Sequence, residues 1–346
     1  MTWRGAPRVL FLVAVLLGQA AACAAAKAQS RLGAADLGVV INTADPLSRA
    51  IGEYYVAVRH ISPRNVARVR FDYQRDDVPG SRFAAIRAAV EQQVGRRVQA
   101  YALTWARPYR VGCMSITSAF AFGVDARYCA QGCAPTRLNP YYDASTSRPF
   151  YDLRVHPTMA IAAVNFQNAK ALIDRGVAAD GAAPRGTAYF VATDDVARNA
   201  RAVEYVPAAA SAKDKIGLQI IHSAGLGERP DILFYFIGAQ SVPGLESNRF
   251  LPGAIADHLT SFGGMLTDSS QMSSLRWIEA GATGSYGTVV EPCNLLGKFP
   301  DIRVVMKRYL AGETLIEAYW KSVAMPGQGI FIGEPLAAPF GAPLAP

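Results

Sequence analysis

The sequence predicts an α/β fold: a mostly parallel sheet with helices on both faces, carrying a disulfide-stapled insertion. Three observations carry this. Short apolar runs rich in β-branched residues end in polar turns, and segments with helical apolar spacing alternate with them. The 346 residues are 51% hydrophobic and only 18% charged, enough to bury a large core and too apolar for a disordered chain. Four of the five cysteines lie beyond residue 110, and three of these fall in one stretch where the alternation lapses.

The elements follow in order. Arg4 and Arg8 precede the apolar run Val9 to Leu17, which passes into small residues ending Ala26-Lys27-Ala28. This is the layout of a secretory signal peptide over residues 1–28, with a mature start at Gln29. The run is shorter than the roughly 20 residues a transmembrane helix needs, and no later stretch reaches that length, so no transmembrane span is expected in the mature chain. Cys23 lacks the Leu three residues earlier that a lipoprotein box carries, so the reading is cleavage rather than lipid anchoring. The destination is the periplasm or the extracellular space.

Leu37 to Asn42 reads as a buried strand and Pro46 to Arg59 as the helix after it; Ser62-Pro63-Arg64-Asn65 breaks that helix. Val66 to Phe71, Phe83 to Val94 and Val98 to Thr104 continue as strand, helix and strand. Residues 108–157 lose the rhythm and hold Cys113, Cys129 and Cys133 among many Gly, Ser and Pro. They read as a surface insertion held by disulfides, because an unstructured loop of that length is improbable in a compact domain. A helix begins near Asn165. Gly186 to Thr193 is a strand, Ala197 to Tyr205 a helix, Leu218 to Ile221 and Ile232 to Ile237 strands. Pro252 to Phe262 reads as a helix or a helix-to-strand passage. Leu275 to Ala280 is a helix, Gly287 to Val290 a strand, and Val304 to Val323 one last helix. The chain divides into a first α/β half, 29–155, and a second, 156–346, which form either two domains or one continuous sheet.

In open α/β sheets the ligand crevice lies beyond the carboxyl ends of the strands. The polar residues there are Asn42, Thr43, Thr104, Asp194, Gln240, Ser261 and Glu291, set against the capping and turn duties those residue types also serve. Asp257-His258-Leu259-Thr260-Ser261 packs acid, base and nucleophile into five residues, but neighbours on a regular element point different ways and make no relay by themselves. His222 and His258 are the candidate acid/base groups. His60, His156, His222 and His258 show no metal-ligand spacing, and Cys129-Ala-Gln-Gly-Cys133 has no second pair to complete a metal knuckle. Neither a phosphate-binding Gly-Lys loop nor a Gly-x-Gly-x-x-Gly turn occurs, so no metal and no cofactor is expected. The formal charge of +8 includes Arg4, Arg8 and Lys27, and the other basic residues are scattered without the stripe that nucleic acid requires. The partner expected is a small molecule or peptide of unknown identity, and no nucleic acid.

The opening Leu37 to Asn42, with Ser48, Tyr54-Tyr55, Arg59, Ile61-Ser62 and Asn65-Val66, resembles the start of an uncharacterised bacterial exported protein family. The likeness continues in Ser115 to Ala119, Leu251 to Asp257, Thr260-Ser261-Phe262, Gly281 to Gly284, Gly287 to Val289, Glu291-Pro292 and Ile332 to Leu336. More distantly, the second half resembles the catalytic half of gingipain-type cysteine peptidases, secreted α/β proteins in which a His ends one strand and a Cys the next. The likeness implies a caspase-like sheet, where the alternation alone fits a flavodoxin-like one equally well. Gly238-Ala239-Gln240 and Thr260-Ser261-Phe262 stand where the His and Cys would be, and Cys293 ends a different element. The function expected is a non-proteolytic binding or envelope protein; the alternative is a secreted hydrolase or peptidase. Intact-mass measurement of the exported protein is expected to give a chain beginning at Gln29, and one that retains Met1 would refute the leader.

Overall fold

Leu37–Asn42 is buried at every position, as a strand covered on both faces must be, and forms β1. The computed structural model describes residues 1–2, 31–130, 132–267 and 269–342; the leader reading falls outside these, apart from residues 1–2, and Cys23 with it. β2 (Val66–Val69), β3 (Ala100–Leu103), the short hairpin β4 (Arg110–Val111) and β5 (Met114–Ser115), and β6 (Thr158–Ala160) follow. Then come β7 (Thr187–Ala192), β8 (Gly217–His222), β9 (Ile232–Gly238), β10 (Phe250–Leu259), β11 (Gly284–Thr288) and β12 (Gly329–Gly333). All but β4 and β5 share one ten-stranded sheet, ordered β2-β1-β3-β6-β12-β11-β10-β9-β7-β8. The runs β2-β1-β3-β6 and β11-β10-β9-β7-β8 are parallel. Between them lies β12, antiparallel to β11 and meeting β6 through Ile332 and Ala160.

The helices are α1 (Pro46–Val58), α2 (Gly80–Val94), α3 (Ile116–Phe122), α4 (Pro149–Leu153), α5 (Phe166–Ala179), α6 (Tyr205–Ala212), α7 (Leu275–Ala280), α8 (Ile302–Leu310) and α9 (Leu315–Ser322). Their starts are chemically marked. Asp45 accepts from the Leu47 N–H ahead of α1, and Asn165 accepts from the Asn168 N–H ahead of α5.

Four expectations need correction. Pro252 to Phe262 is not helical: β10 runs through it, and Gly253, with φ +89°, lets the register shift between Phe250 and Ile255 so that Pro252 sits where the ladder is already interrupted. Val304 to Val323 is two helices, α8 and α9, separated by Gly312 at φ +94° and restarted where Glu317 reaches back to Thr314. The strand expected from Gly287 begins three residues earlier, at Gly284. Residues 108–157 are only partly a surface insertion, because Ile116 to Ala121 of α3 are buried and the hydroxyls of Ser115 and Ser118 donate to the carbonyls of Gly329 (2.5 Å) and Pro326 (2.7 Å). Their disulfides are Cys113–Cys129 and Cys133–Cys293, so the partner of Cys133 lies in the loop after β11 rather than in the insertion.

One buried ionic contact joins the ends of this architecture. Arg59, at the end of α1, donates through Nε (2.9 Å) and Nη2 (2.6 Å) to Glu334, just past β12; the Tyr55 hydroxyl donates to the same carboxylate at 2.7 Å, and Asp180 takes Nη1. The Glu334 side chain is 0% exposed and that of Arg59 8%. Burial alone would lower the guanidinium pKa, but the Glu334 carboxylate outweighs it and holds Arg59 above its ordinary value. Gly176 of α5 makes the room: a Cβ there would stand 2.5 Å from Glu334 Cγ. Replacing Arg59 by Met leaves the carboxylate buried and uncompensated, which costs about 3–5 kcal/mol for pairs of this kind. A lower denaturant midpoint at unchanged slope is the expected result; an unaltered midpoint would refute the role.

Candidate functional site

Two clefts open at the carboxyl ends of strands, and each lies where successive connections leave in opposite directions, the position at which open α/β sheets bind ligands. Between β1 and β3 a cleft of 370 Å³ is lined by Asp45 and Leu47 after β1, Tyr73 and Gln74 after β2, Ala106 and Arg107 after β3, Ala163 and Val164 after β6, and Leu266, Thr267 and Leu275 after β10. Arg107 Nε donates to Asp76 Oδ1 at 2.8 Å and the Thr267 hydroxyl reaches the same oxygen at 3.3 Å, which ties the loops of the two parallel runs together at this edge. Between β7 and β9 a second cleft of 410 Å³ is lined by Thr193, Asp194, Asp195, Ala224, Ala239, Gln240, Ser241 and Pro243. Gly238 at its base is required by close approach, since a Cβ there would meet the Arg198 carbonyl at 2.0 Å.

Of the strand-end residues chosen from the sequence, only Asp194 and Gln240 line one of these clefts, and several of the others are engaged by hydrogen bonds of the fold. Asn42 is completely buried; its Oδ1 accepts from the N–H groups of Ala44 (3.1 Å) and Phe71 (3.2 Å) and its Nδ2 donates to Phe71 O (3.1 Å). Thr104, also buried, donates to Val40 O at 3.1 Å and lies 2.7 Å from Ser48 Oγ, which accepts from the Asn42 N–H. The Thr43 hydroxyl donates to Val69 O at 3.1 Å. Glu291 is exposed and holds the turn to Cys293 by accepting its N–H at 2.7 Å. Asp194 and Gln240 do line the second cleft, with Gln240 donating to Ser270 O at 2.8 Å.

His258 is the most tightly defined of the acid/base candidates. Because the residues of β10 alternate, Asp257 points to Arg201 (2.5 Å, both side chains buried) and His258 to the opposite face, so the adjacent pair is no dyad. Trp277 Nε1, which can only donate, gives its proton to His258 Nδ1 at 2.9 Å; Nε2 therefore carries the ring proton and donates to Met272 O at 3.0 Å. Burial pushes this imidazole down to about 4, against the Met272 hydrogen bond, which favours the charged form. The Ser261 hydroxyl has no hydrogen-bond partner among the described residues, while its carbonyl accepts from Thr288 at 2.9 Å. His222 lies on the exposed edge strand, 3.3 Å from Asp194, with both side chains mostly in solvent. Cys293 is bound to Cys133.

Among the described residues, no three His, Cys, Asp or Glu side chains come together as a metal set, and no helix is long and apolar enough to cross a membrane. The residues that reasoning from strand ends missed, Asp45, Arg107, Ala163, Val164 and Thr267, stand beyond the strand ends: Asp45 and Arg107 come three residues after Asn42 and Thr104.

The buried histidines set a pH dependence. In the unfolded chain His258 takes up its proton near 6.5 but in the fold only near 4, and His156, stacked between Tyr101 and Phe150, only near 3. Stability from each is complete above about 6.5 and is lost as the pH falls toward the folded value, roughly 3 kcal/mol for His258. His258→Gln can still accept from Trp277 and donate to Met272, and it is expected to lower proton uptake on unfolding near pH 5 by about one. Equal uptake in the two proteins, measured by denaturation across pH, would refute the assignment. No protein-family model and no curated protein matches the chain, so the groups in the two clefts are what speak for its chemistry.

Proposed function

We infer that the chain is an exported, non-proteolytic binding protein that takes a small organic molecule or a peptide in the cleft between β1 and β3. The observation that carries this reading is the engagement of His258 at both ring nitrogens, together with a Ser261 hydroxyl that has no partner among the described residues. A serine hydroxyl is a poor nucleophile until a base takes its proton, and a thiol held in a disulfide is none at all. The cleft has the mixed lining of a ligand site: Leu47, Ala163, Val164, Leu266 and Leu275 supply apolar surface, and Asp45, Gln74, Arg107 and Thr267 supply polar groups. Two disulfides fit an oxidising compartment, periplasmic or extracellular, and agree with the leader-like segment.

The rival reading, a secreted hydrolase acting through Ser261, is decided by the same purified protein. Fluorophosphonate labelling is expected to be absent, and Ser261→Ala is expected to leave any peptide or ester hydrolysis at the wild-type background. A loss of about a hundredfold or more, the scale of removing an activated nucleophile or its base, would overturn the binding reading. Thermal-shift measurements with short peptides and small organic acids and amines test the cleft itself. Shifts seen with the wild type are expected to vanish in Val164→Trp, which fills the cleft from a position already 52% exposed; shifts that survive would place the ligand elsewhere.

A further inference from the structure

The two edges of the sheet are finished differently. At the β2 edge the side-chain amide of Gln93, from α2, lies against the outer face of Arg68: its Oε1 accepts the Arg68 N–H at 2.8 Å and its Nε2 donates to the Arg68 carbonyl at 2.9 Å. That is the bonding a further strand would provide. The opposite edge, β8, has no such cover among the described residues. Gly217 and Ser223 donate their N–H groups inward, to the carbonyls of Gly186 and Ala192, and the pairing with β7 is continuous between them. With the two-residue period of a strand, the peptide groups of Ile216, Leu218, Ile220 and His222 therefore point away from the sheet. Six residues of backbone are thus presented at an edge with none of the usual blocks: β8 holds no Lys, no Pro and no bulge.

The edge carries an exposed apolar side chain, and its two ends are oppositely charged. Ile220 is 49% exposed, and Val196, Val203 and Val206, in the segment that leads to β8, are 87%, 72% and 69% exposed. Exposed Lys213 and Lys215 precede the strand at one end; Asp194, its side chain 97% exposed, stands with His222 at the other. A two-fold axis brings unlike ends together.

We propose that β8 pairs antiparallel with β8 of a second copy of this chain about a two-fold axis at Gln219, joining two ten-stranded sheets into one. The outward groups set the register. Leu218 faces Ile220 of the partner and Ile216 faces His222, each as a hydrogen-bonded pair, and Gln219 faces itself in a non-hydrogen-bonded pair. Leu218 and Ile220 of both copies then share one face of the enlarged sheet, and Lys215 of each copy comes to the Asp194 end of the other. A two-fold interface of this kind is closed and leaves no β8 edge free.

The test uses the purified chain in sedimentation and light scattering from about 1 to 200 μM, with circular dichroism to confirm folding. A monomer–dimer equilibrium is expected, weakened at least tenfold by Ile220→Lys, which places a charge on the edge without touching the core. Gln219→Cys is expected to form an interchain disulfide under mild oxidation, because directly opposed non-hydrogen-bonded residues lie at about 4.5 Å between Cα atoms, within disulfide reach; Arg68→Cys on the covered edge is expected to form none. A wild type that stays monomeric throughout overturns the proposal. So does a dimer that persists in Ile220→Lys, or a Gln219→Cys chain that crosslinks no faster than Arg68→Cys.

Discussion

The bidentate contact between Arg59 and Glu334 is the constraint on which the rest of the molecule depends. A carboxylate with no solvent exposure is tolerated only when its lone pairs are filled, and here Arg59 and Tyr55 fill them. The contact joins residues 275 positions apart and fixes three pieces at once: the last turn of α1, the glycine face of α5 and the end of β12. β12 stands between β6 and β11, so the two parallel runs are one sheet only through it. Holding its end against α1 therefore holds the first half of the chain to the second.

Most of the parallel frame was legible because its signals are local. β1, β3, β7 and β9 are runs of apolar and β-branched residues closed by polar turns, and a helix starts wherever Asp45 or Asn165 can cap one. What was not legible depends on partners remote in sequence. Gly329-Ile-Phe-Ile-Gly333 is too short and too rich in glycine to declare itself a strand, yet it is buried at every position because β6 and β11 flank it. Pro252 to Phe262 reads as a helix or a helix-to-strand passage, and the neighbours β9 and β11 impose a bulged strand in its place. The pairing of Cys133 with Cys293, 160 residues away, brings the loop after β11 to the insertion and leaves no trace in spacing.

The site was legible in kind and displaced in detail. A strand's last polar residue is where its ladder ends, and the backbone groups released there need partners. Asn42 and Thr104 meet that need and are spent on it, so the atoms that line the cleft belong to residues a few positions further on, where the chain has left the sheet: Asp45, Arg107, Val164. Asp194 and Gln240 escape this rule because the β7 and β9 turns leave the sheet at once, with Thr193 taking the backbone duty by donating to Gly238 O.

Several buried polar side chains from distant parts of the chain share a placement rather than a chemistry. Tyr55 and Arg59 meet Glu334; the Ser115 hydroxyl meets Gly329 O; Thr283 accepts the Glu334 N–H with its carbonyl and the Gly253 N–H with its hydroxyl oxygen; Thr288 donates to Thr260 O and Ser261 O. Each joins β12, or its neighbour β11, to an element from elsewhere in the chain. These polar residues thus serve to satisfy a buried seam, where an unpaired donor costs more than the pair contributes. The open strand ends beside that seam, and the bare edge at β8, are where groups remain available for something other than the fold.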